Sequence, residues 1–266
     1  MNNESIGIAK DLAMANEQIK QQALKQKEFI DIVAHELRTP TQSILGYAEM
    51  IMSEPKTNVE YIKLIARNTN RIQKLLSNIL DMARIDNLNL NLSKEQFNLP
   101  ELISSIVQDF RNQIQVNKRN LDLIYTDTSA YNFIKENNNI KGVIIEADKD
   151  RIAQVIINLV DNAIKNTDNG KIVITTTINS THMDTKNNPD HRKEIIVKVK
   201  DSGTGLDPKL FSKVYSKFFT ASEIGGTGLG LYICKAIVEA HDGSTWVENN
   251  KDEKGATFSF SLPLRD

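Results

Sequence analysis

Apolar residues recur every three or four positions along the first third of the chain, which is the spacing of one face of an α-helix. The pattern predicts one helix from about residue 10 to Met52 and a second from Thr57 to about Ile85. The first helix begins with a heptad-like seam formed by Ile8, Leu12, Ala15, Ile19, Gln22, Gln26, Phe29 and Val33. This seam favours pairing with another copy, although a solvated helix fits equally well before residue 20. A helical hairpin cannot bury its apolar stripe alone, so we expect two copies to form a four-helix bundle.

The pattern changes after the hairpin. The segment DNLNLNLSKEQFNLP (86–100) is interpreted as a linker, and a mixture of strand and helix patterns follows it. The predicted strands are Leu121–Thr126, Val143–Ala147, Lys171–Asn179, Ile195–Lys200, Thr245–Glu248 and Thr257–Leu262. The predicted helices are Leu99–Val116, Asp150–Asn166, Pro208–Phe219 and Gly228–Ala240. Together they predict an α+β fold, in which helices cover one face of a sheet in an α/β sandwich.

Composition excludes several classes of protein. The chain has 266 residues, which suggests one large or two ordinary domains. Its 33 basic and 34 acidic residues give a net charge of −1, which does not favour binding to nucleic acid or to an acidic membrane. The single cysteine, Cys234, excludes an internal disulfide and fits a reducing compartment. No signal peptide or membrane span is expected, so we interpret the chain as soluble or as a soluble part of a protein anchored elsewhere.

A polar group interrupts the first helix at FIDIVAHELRTP (29–40). His35 and Thr39 are four residues apart and Glu36 and Thr39 three apart, so each pair shares a helix face. Pro40 cannot donate a hydrogen bond to the carbonyl of Glu36, which predicts a kink at this point. A single histidine on a helix is more often an ordinary surface or core residue, so a catalytic role needs support from the rest of the chain.

A second motif contains side chains suited to a phosphorylated ligand. In NLVDNAIKNT (158–167), Asn158, Asn162 and Lys165 share one helix face, where amide oxygens could bind Mg²⁺ and the amine could bind phosphate. A solvated polar stripe is the alternative interpretation. The loop NSTHMDTKNNPDHRK (179–193) also contains possible metal ligands, but their spacing fits no common site and its composition indicates an exposed hairpin loop.

Two glycine-rich motifs follow in the second half of the chain. In DSGTGL (201–206), Asp201 follows a strand and could accept a hydrogen bond from an exocyclic amine such as that of adenine, while glycines allow close backbone approach. In GGTGLGL (225–231), glycines precede a helix and leave backbone N–H groups accessible to an anion. This motif matches neither the phosphate-binding loop nor the dinucleotide fingerprint. Ordinary turns are the alternative at both places.

Together and in this order, the motifs resemble those of the sensor histidine kinases of two-component systems, over about residues 27–264. HELRTP resembles their phosphoacceptor box, NLVDNAIKNT the N box, DSGTGL and GGTGLGL two glycine boxes, and KVYSKFF the phenylalanine box. The resemblance implies that His35 is the phosphoacceptor and that Glu36 accepts its proton. It also implies that Thr39 positions water for a phosphatase reaction.

For the nucleotide, the resemblance implies ATP with Mg²⁺. Asn162 would be the Mg²⁺ ligand, Asn158 and Lys165 would lie at the phosphates, and Asp201 would bind adenine. The glycine boxes would shape the pocket and its lid through Gly203, Gly205, Gly226, Thr227, Gly228, Leu229 and Gly230. Many members of the family carry a basic residue between the two glycine boxes, where it meets the terminal phosphate. The corresponding segment here, SKFFTASEIGG, has no arginine, so we expect Lys217, or alternatively Lys213, to take this place.

The resemblance also implies a domain order and partners. Residues 1–27 would be a coiled-coil-like signalling helix, 28–88 a dimerisation and histidine phosphotransfer hairpin, 89–98 a linker and 99–266 a catalytic ATP-binding domain. The protein would be a homodimeric kinase that passes its phosphoryl group to an aspartate of a response regulator receiver domain and also acts as its phosphatase. It would act in the cytoplasm, alone or as the cytosolic part of a larger sensor.

Two other classes of protein use related features. A clamp ATPase, such as a type II topoisomerase or mismatch-repair relative, has the nucleotide-binding motifs but no histidine hairpin, so residues 29–40 argue against it. A dimeric signalling scaffold would bind nucleotide without transferring phosphate. The presence of His35, Glu36, Asn162 and Asp201 disfavours the scaffold.

Overall fold

The structure is a computed structural model that describes residues 2–53, 58–87, 90–116, 119–128, 143–182, 191–220 and 227–264. The chain divides into two compact units. The first comprises Met1–Ile79 with Ser222–Thr227, and the second comprises Leu80–Ala221 with Gly228–Asp266. Gly226 and most of the loop considered above as a metal site lie outside the described residues.

The first unit is built on an antiparallel helical hairpin. Helix α1 (Asn2–Ser53) is followed by helix α2 (Asn58–Asp86), whose residues from Leu80 onward belong to the second unit. Two contacts set the register, an ion pair of 2.8 Å between Glu36 and Arg71 and a stack of Tyr47 on Tyr61 with ring centroids 5.8 Å apart. About three turns separate the two contacts on each helix. The predicted hairpin is therefore confirmed.

Large apolar side chains remain exposed on the hairpin of the single chain. Leu45 is 60% exposed, Ile62 55% and Leu76 53%. Leaving several such side chains in water is unfavourable, because burying each would contribute roughly 1.5–3 kcal/mol. The predicted dimeric bundle would cover them, and it stays a prediction. Within the described part of the chain, no helix combines the length and apolar character needed to span a membrane.

The described residues of the second unit form two sheets and three α-helices besides the end of α2. In chain order the strands are β1 (Glu95–Asn98), β2 (Leu121–Asp127), β3 (Ile144–Ala147), β4 (Gly170–His182), β5 (His191–Asp201), β6 (Ser244–Asn249) and β7 (Ala256–Leu264). The helices are α3 (Leu99–Val116), α4 (Lys149–Asn166) and α5 (Gly230–Ala240). The main sheet has the order β2-β4-β5-β7-β6, and only the β2–β4 pair is parallel. Strands β1 and β3 form a separate antiparallel pair.

The core of this unit lies between the main sheet and the helices. Helix α3 packs on β2, α4 on β5, and α5 on β6 and β7. Along β5, Ile195, Val197 and Val199 alternate with half-buried residues and are themselves almost completely buried. The register pairs them with Leu262, Phe260 and Phe258 of β7, so apolar side chains continue across neighbouring strands. This arrangement confirms the predicted α/β domain that follows the hairpin.

Two segments differ from their predicted structure. Residues 95–98, within the predicted linker, form strand β1, whose partner β3 lies almost fifty residues later in the chain. The predicted helix Pro208–Phe219 is only a short 3₁₀ turn, Pro208–Leu210, followed by irregular turns. Phe218 has a left-handed backbone with φ of 63°, and its N–H donates to the carbonyl of Gly228 at 3.1 Å. This contact draws the chain out of a helical path that its local pattern favoured.

A buried histidine joins the end of α5 to the start of α4. The ring nitrogen Nε2 of His241 accepts from the backbone N–H of Asp148 at 3.0 Å, and Nδ1 donates to the carbonyl of Ile237 at 2.7 Å. Accepting at one nitrogen and donating at the other requires a neutral ring. Burial lowers the pKa of His241, and Lys94 acts in the same direction, against the carbonyl of Ile237 and the carboxylates of Asp148 and Asp242.

The lowered pKa of His241 predicts a pH-dependent stability. Below its ordinary pKa of 6.5, the unfolded chain binds a proton that the folded unit does not, so the free energy of unfolding decreases as the pH falls. Replacing His241→Gln should cost about 1–3 kcal/mol at about pH 8, and the difference from wild type should shrink at about pH 5.5. Urea unfolding followed by the fluorescence of Trp246, the single tryptophan, measures this difference.

His35→Gln is the matched control, because His35 is an exposed histidine of the other unit. The prediction is wrong if His241→Gln and wild type differ in free energy of unfolding by the same amount at both pH values.

Candidate functional site

Near His35, several hydroxyl side chains of α1 form hydrogen bonds with the backbone of the same helix. His35 is exposed, and the hydroxyl of Thr39 donates to its carbonyl at 3.2 Å. Thr41 and Ser43 each make the same contact with the carbonyl four residues earlier, at 2.7 and 3.1 Å. These three residues surround Pro40, which is buried and has no N–H to donate. Hydroxyl contacts of this kind loosen a helix, so α1 is locally deformable next to His35.

The acidic residue that follows His35 is held by the second helix of the hairpin. Nη2 of Arg71 donates to Oε2 of Glu36 at 2.8 Å. The Glu36 side chain is only 14% exposed, while Arg71 is 52% exposed. The structure therefore places His35, Glu36 and Thr39 together on α1 and adds Arg71, a residue that the motif did not indicate.

Asp201 lies at the end of the helix-facing row of β5. The alternation that buries Val199 places Asp201 on the same side of the sheet, where it is 4% exposed. Its Oδ1 accepts from the N–H groups of Gly203 at 2.9 Å and Ala256 at 3.2 Å. Burial raises the pKa of Asp201 despite these two hydrogen bonds. Both bonds from described residues go to Oδ1, so Oδ2 remains to accept from a ligand.

The chain after Asp201 needs its two glycines for different reasons. A Cβ on Gly203 would lie 2.1 Å from the carbonyl oxygen of Asn166, so only glycine allows this close approach to the end of α4. Gly205 has a φ of 75°, a left-handed conformation that glycine adopts without strain. The side chain of Asn249 holds this turn through two hydrogen bonds to the backbone of Leu206, at 2.9 and 2.7 Å.

One face of α4 carries a row of amides. Asn158, Asn162 and Asn166 are spaced by four residues, and Nδ2 of Asn166 donates to the backbone carbonyl and the side-chain oxygen of Asn162 at 2.8 and 3.2 Å. The Nδ2 atom of Asn158 is buried and has no hydrogen-bond partner among the described residues. Lys165, two turns after Asn158 on the same face, is exposed. Asn166 was not identified from the sequence, although its spacing continues that of the other two asparagines.

The glycine-rich turn brings the start of α5 to this row. A Cβ on Gly230 would lie 4.0 Å from Cγ of Asn158, which makes the two residues neighbours. Gly228 has a φ of 64°, and a Cβ there would lie 2.4 Å from the backbone of Phe218. Leu229 is completely buried and provides no side-chain cap for α5, so its role at a ligand would be limited to its backbone. Thr227, just before this turn, is half-buried.

Lys217 forms a contact that the sequence did not indicate. Its amine pairs with the carboxylate of Asp86, to which the hydroxyl of Tyr232 also donates at 3.2 Å. The amine lies 5.1 Å from the centre of the Tyr232 ring, within the range of a cation–π contact. Burial opposes the charge on Lys217, but the Asp86 carboxylate outweighs it and raises the pKa of Lys217. Lys213, the alternative residue for the terminal phosphate, is exposed.

The arrangement fits a nucleotide with a divalent cation. Within the described residues, Oδ2 of Asp201 offers an acceptor, the buried amide nitrogen of Asn158 is a donor without an acceptor, and the first residue position of α5 has no side-chain cap, so backbone N–H groups at its start can bind an anion. The side-chain oxygen of Asn162 is a hard ligand of the kind that Mg²⁺ binds together with phosphate oxygens and water. Asn158, Asn162, the turn after Asp201 and the residues from Gly228 to Gly230 therefore lie in this unit.

Two family models match the chain in the same order as these features. The His Kinase A (phospho-acceptor) domain matches residues 25–88, which include His35. The model of the histidine kinase-, DNA gyrase B- and HSP90-like ATPases matches residues 147–266, which include Asp201 and the amides of α4.

Individual proteins show the same likeness. The sensor protein SrrB of Staphylococcus aureus is 32% identical over 247 residues, which cover 90% of this chain and 38% of SrrB, so the chain spans less than half of that curated relative. The solved catalytic domain of histidine kinase ThkA is 34% identical, with a TM-score of 0.51, over 65% of this chain and 96% of that one.

Longer solved structures extend the likeness across the hairpin. ThkA in complex with the response regulator protein TrrA is 31% identical, with a TM-score of 0.59, over 92% of this chain and 64% of that one. Acinetobacter baumannii histidine kinase AdeS, at 21% identity and a TM-score of 0.61, shares the fold over 87% of this chain and 98% of its own. The chain therefore belongs to the sensor histidine kinases of two-component systems, with a phosphoacceptor domain followed by an ATP-binding domain.

Proposed function

We propose that the protein is an ATP-dependent histidine kinase that phosphorylates its own His35 and passes the phosphoryl group to an aspartate of a response regulator. One observation carries the proposal: the same chain presents an exposed histidine beside a glutamate on a helix and a nucleotide-type cluster around Asp201. We assign the protein to the cytoplasm, where ATP and reducing conditions are available.

Most of the residues proposed to bind the nucleotide belong to the second unit. Oδ2 of Asp201 accepts from the exocyclic amine of adenine, and Asn158 and Lys165 contact the phosphates. Asn162 would hold Mg²⁺, and the bound ion would neutralise charge on the phosphates. Gly203 and Gly205 shape the adenine side, and the lid is assigned to Gly226, Thr227, Gly228, Leu229 and Gly230.

The chemistry on His35 follows from the two nitrogens of its ring. One nitrogen attacks the γ-phosphorus of ATP, forming an N–P bond as the bond to the β-phosphate oxygen breaks and ADP leaves. The proton on the other nitrogen passes to the carboxylate of Glu36, which acts as general base. Because the transition state of phosphoryl transfer is loose, the protein contributes mainly positioning and charge neutralisation.

The proposed assembly is a homodimer. The exposed stripe that includes Ile62 and Leu76 is the surface that a second copy would cover in a four-helix bundle. His35 and the nucleotide-binding residues belong to different compact units, so phosphoryl transfer requires the two to meet.

We also propose an opposing activity, in which the protein promotes hydrolysis of the phosphoryl group from the response regulator. The hydroxyl of Thr39 lies one turn from His35 and bonds to its carbonyl, so it can orient water on the same surface of α1. The related kinase ThkA has been solved in complex with the response regulator protein TrrA. By likeness to that protein, we propose that a receiver domain docks on this hairpin.

Radiolabelling tests the kinase proposal. With ATP labelled at the γ-phosphate and Mg²⁺, the wild type should acquire an acid-labile, base-stable label typical of phosphohistidine. His35→Gln should abolish the label because it removes the nucleophile, while His182→Gln, outside the acceptor motif, should retain it. Nucleotide binding without label would favour a scaffold, and ATP hydrolysis without label would favour a clamp ATPase.

A second experiment tests the role of Lys217. Asp86→Asn removes the carboxylate that engages the amine, so Lys217 becomes available to the terminal phosphate. An exposed ion pair contributes up to about 1 kcal/mol, so ATP affinity should rise about two- to fivefold relative to ADP affinity. Isothermal titration of both nucleotides measures the ratio.

Glu253→Gln is the control, since it removes a surface carboxylate that pairs with Lys171 and Lys200 in the same unit. Equal changes for ATP and ADP on Asp86→Asn would show that Lys217 does not meet the terminal phosphate.

A further inference from the structure

Arg71 makes a specific contact with the residue proposed as the general base. The distance of 2.8 Å between its Nη2 and Oε2 of Glu36 is typical of a charge-assisted hydrogen bond. Glu36 is largely shielded between the two helices, while Arg71 retains about half of its exposure. Arg71 therefore reaches from α2 to hold a carboxylate that solvent contacts little.

The orientation of Glu36 matters because of its place on the helix. Successive residues of an α-helix project about 100° apart, so a glutamate next to His35 does not point at the imidazole by default. A glutamate side chain that is free to rotate loses conformational entropy when it is fixed. A bond that already fixes the carboxylate removes much of that cost from the reaction.

The hairpin fixes the position of Arg71. The stack of Tyr47 on Tyr61, about three turns away, sets the same antiparallel register as the Glu36–Arg71 pair. Arg71 is thus held level with Glu36 by packing that does not depend on the ion pair itself. With Oε2 engaged by Arg71, Oε1 is the oxygen that remains for the proton of the imidazole.

We propose that Arg71 is a positioning residue for the autophosphorylation of His35, acting through Glu36. It holds Oε2 while the ring nitrogen opposite the attacking one passes its proton to Oε1, the N–P bond forms, and ADP leaves with the electrons of the broken P–O bond. The guanidinium continues to donate to Oε2 after Glu36 becomes neutral. This inference rests on the proposed role of Glu36 as base.

The test compares Arg71→Gln and Arg71→Lys in the full chain, by single-turnover autophosphorylation at several ATP concentrations. Arg71→Gln should lower the maximal rate about tenfold, because a misplaced base loses much of its contribution, and should leave the apparent KM for ATP unchanged. Arg71→Lys should restore part of the rate, since its amine can still donate to one carboxylate oxygen. Lys63→Gln, at an exposed position of α2, is the control and should keep the wild-type rate.

A combination with Glu36→Gln separates positioning from general support of the hairpin. The double variant Glu36→Gln with Arg71→Gln should be no slower than Glu36→Gln alone, because Arg71 acts through the carboxylate. An equal loss of rate from Arg71→Gln in both backgrounds would overturn the proposal and indicate a structural role. Helical content and dimer mass, measured for each variant, identify any loss of rate that comes from misfolding.

The rates of the two single variants distinguish an error in the role of Arg71 from an error in the proposed role of Glu36. If Glu36→Gln is slow and Arg71→Gln is as fast as wild type, the role of Arg71 is wrong and that of Glu36 stands. If Glu36→Gln keeps the wild-type rate, the role of Glu36 as base is wrong, and the role of Arg71 fails with it.

Discussion

The carboxylate of Asp201, placed on the helix-facing side of β5, is the constraint around which the second unit is arranged. A charge in a row of buried apolar side chains is costly unless hydrogen bonds compensate it, and the surrounding backbone is shaped to provide them. Gly203 and Ala256 donate to its side chain, and the side-chain amide of Asn250 donates to its backbone carbonyl at 2.7 Å. A Cβ on Gly255 would lie 2.0 Å from the same carbonyl oxygen, so the loop before β7 also adapts to this residue.

The two units place their polar chemistry in opposite environments. In the hairpin, His35 and Thr39 lie on the exposed surface of α1, where a large partner can reach them. In the second unit, the Asp201 side chain and the amide nitrogen of Asn158 are buried, an environment suited to a small ligand. An exposed histidine and a buried polar cluster would suit the proposed transfer of a phosphoryl group from a small molecule to a protein.

Features with a short sequence period were predicted well. The stripes of α1 and α2 indicated the hairpin, and the apolar pattern of residues 195–200 indicated the strand that becomes β5. Asn162 could be selected because amides at four-residue spacing share a helix face, and the same rule extends to Asn166. These predictions depend only on residues that are close together along the chain.

Features that depend on distant contacts could not be predicted in this way. Asp86 and Lys217 are 131 residues apart, and neither local pattern indicates the other. Strand β1 forms because β3 provides a partner, and the turn at Phe218 takes its left-handed conformation where the backbone of Gly228 packs against it. For such segments tertiary packing overrides local propensity, as it does for the helix that was expected at 208–219.

The amide nitrogen of Asn158, which has no hydrogen-bond partner among the described residues, would link the stability of the protein to the supply of a ligand that accepts from it. A buried N–H without an acceptor costs the folded state about 1–3 kcal/mol, and a bound group that accepts from it offsets that cost. By mass action, such a ligand also shifts the folding equilibrium towards the native state. Cellular proteases degrade the unfolded fraction, so nucleotide supply would then influence how long each molecule survives as well as how fast it works.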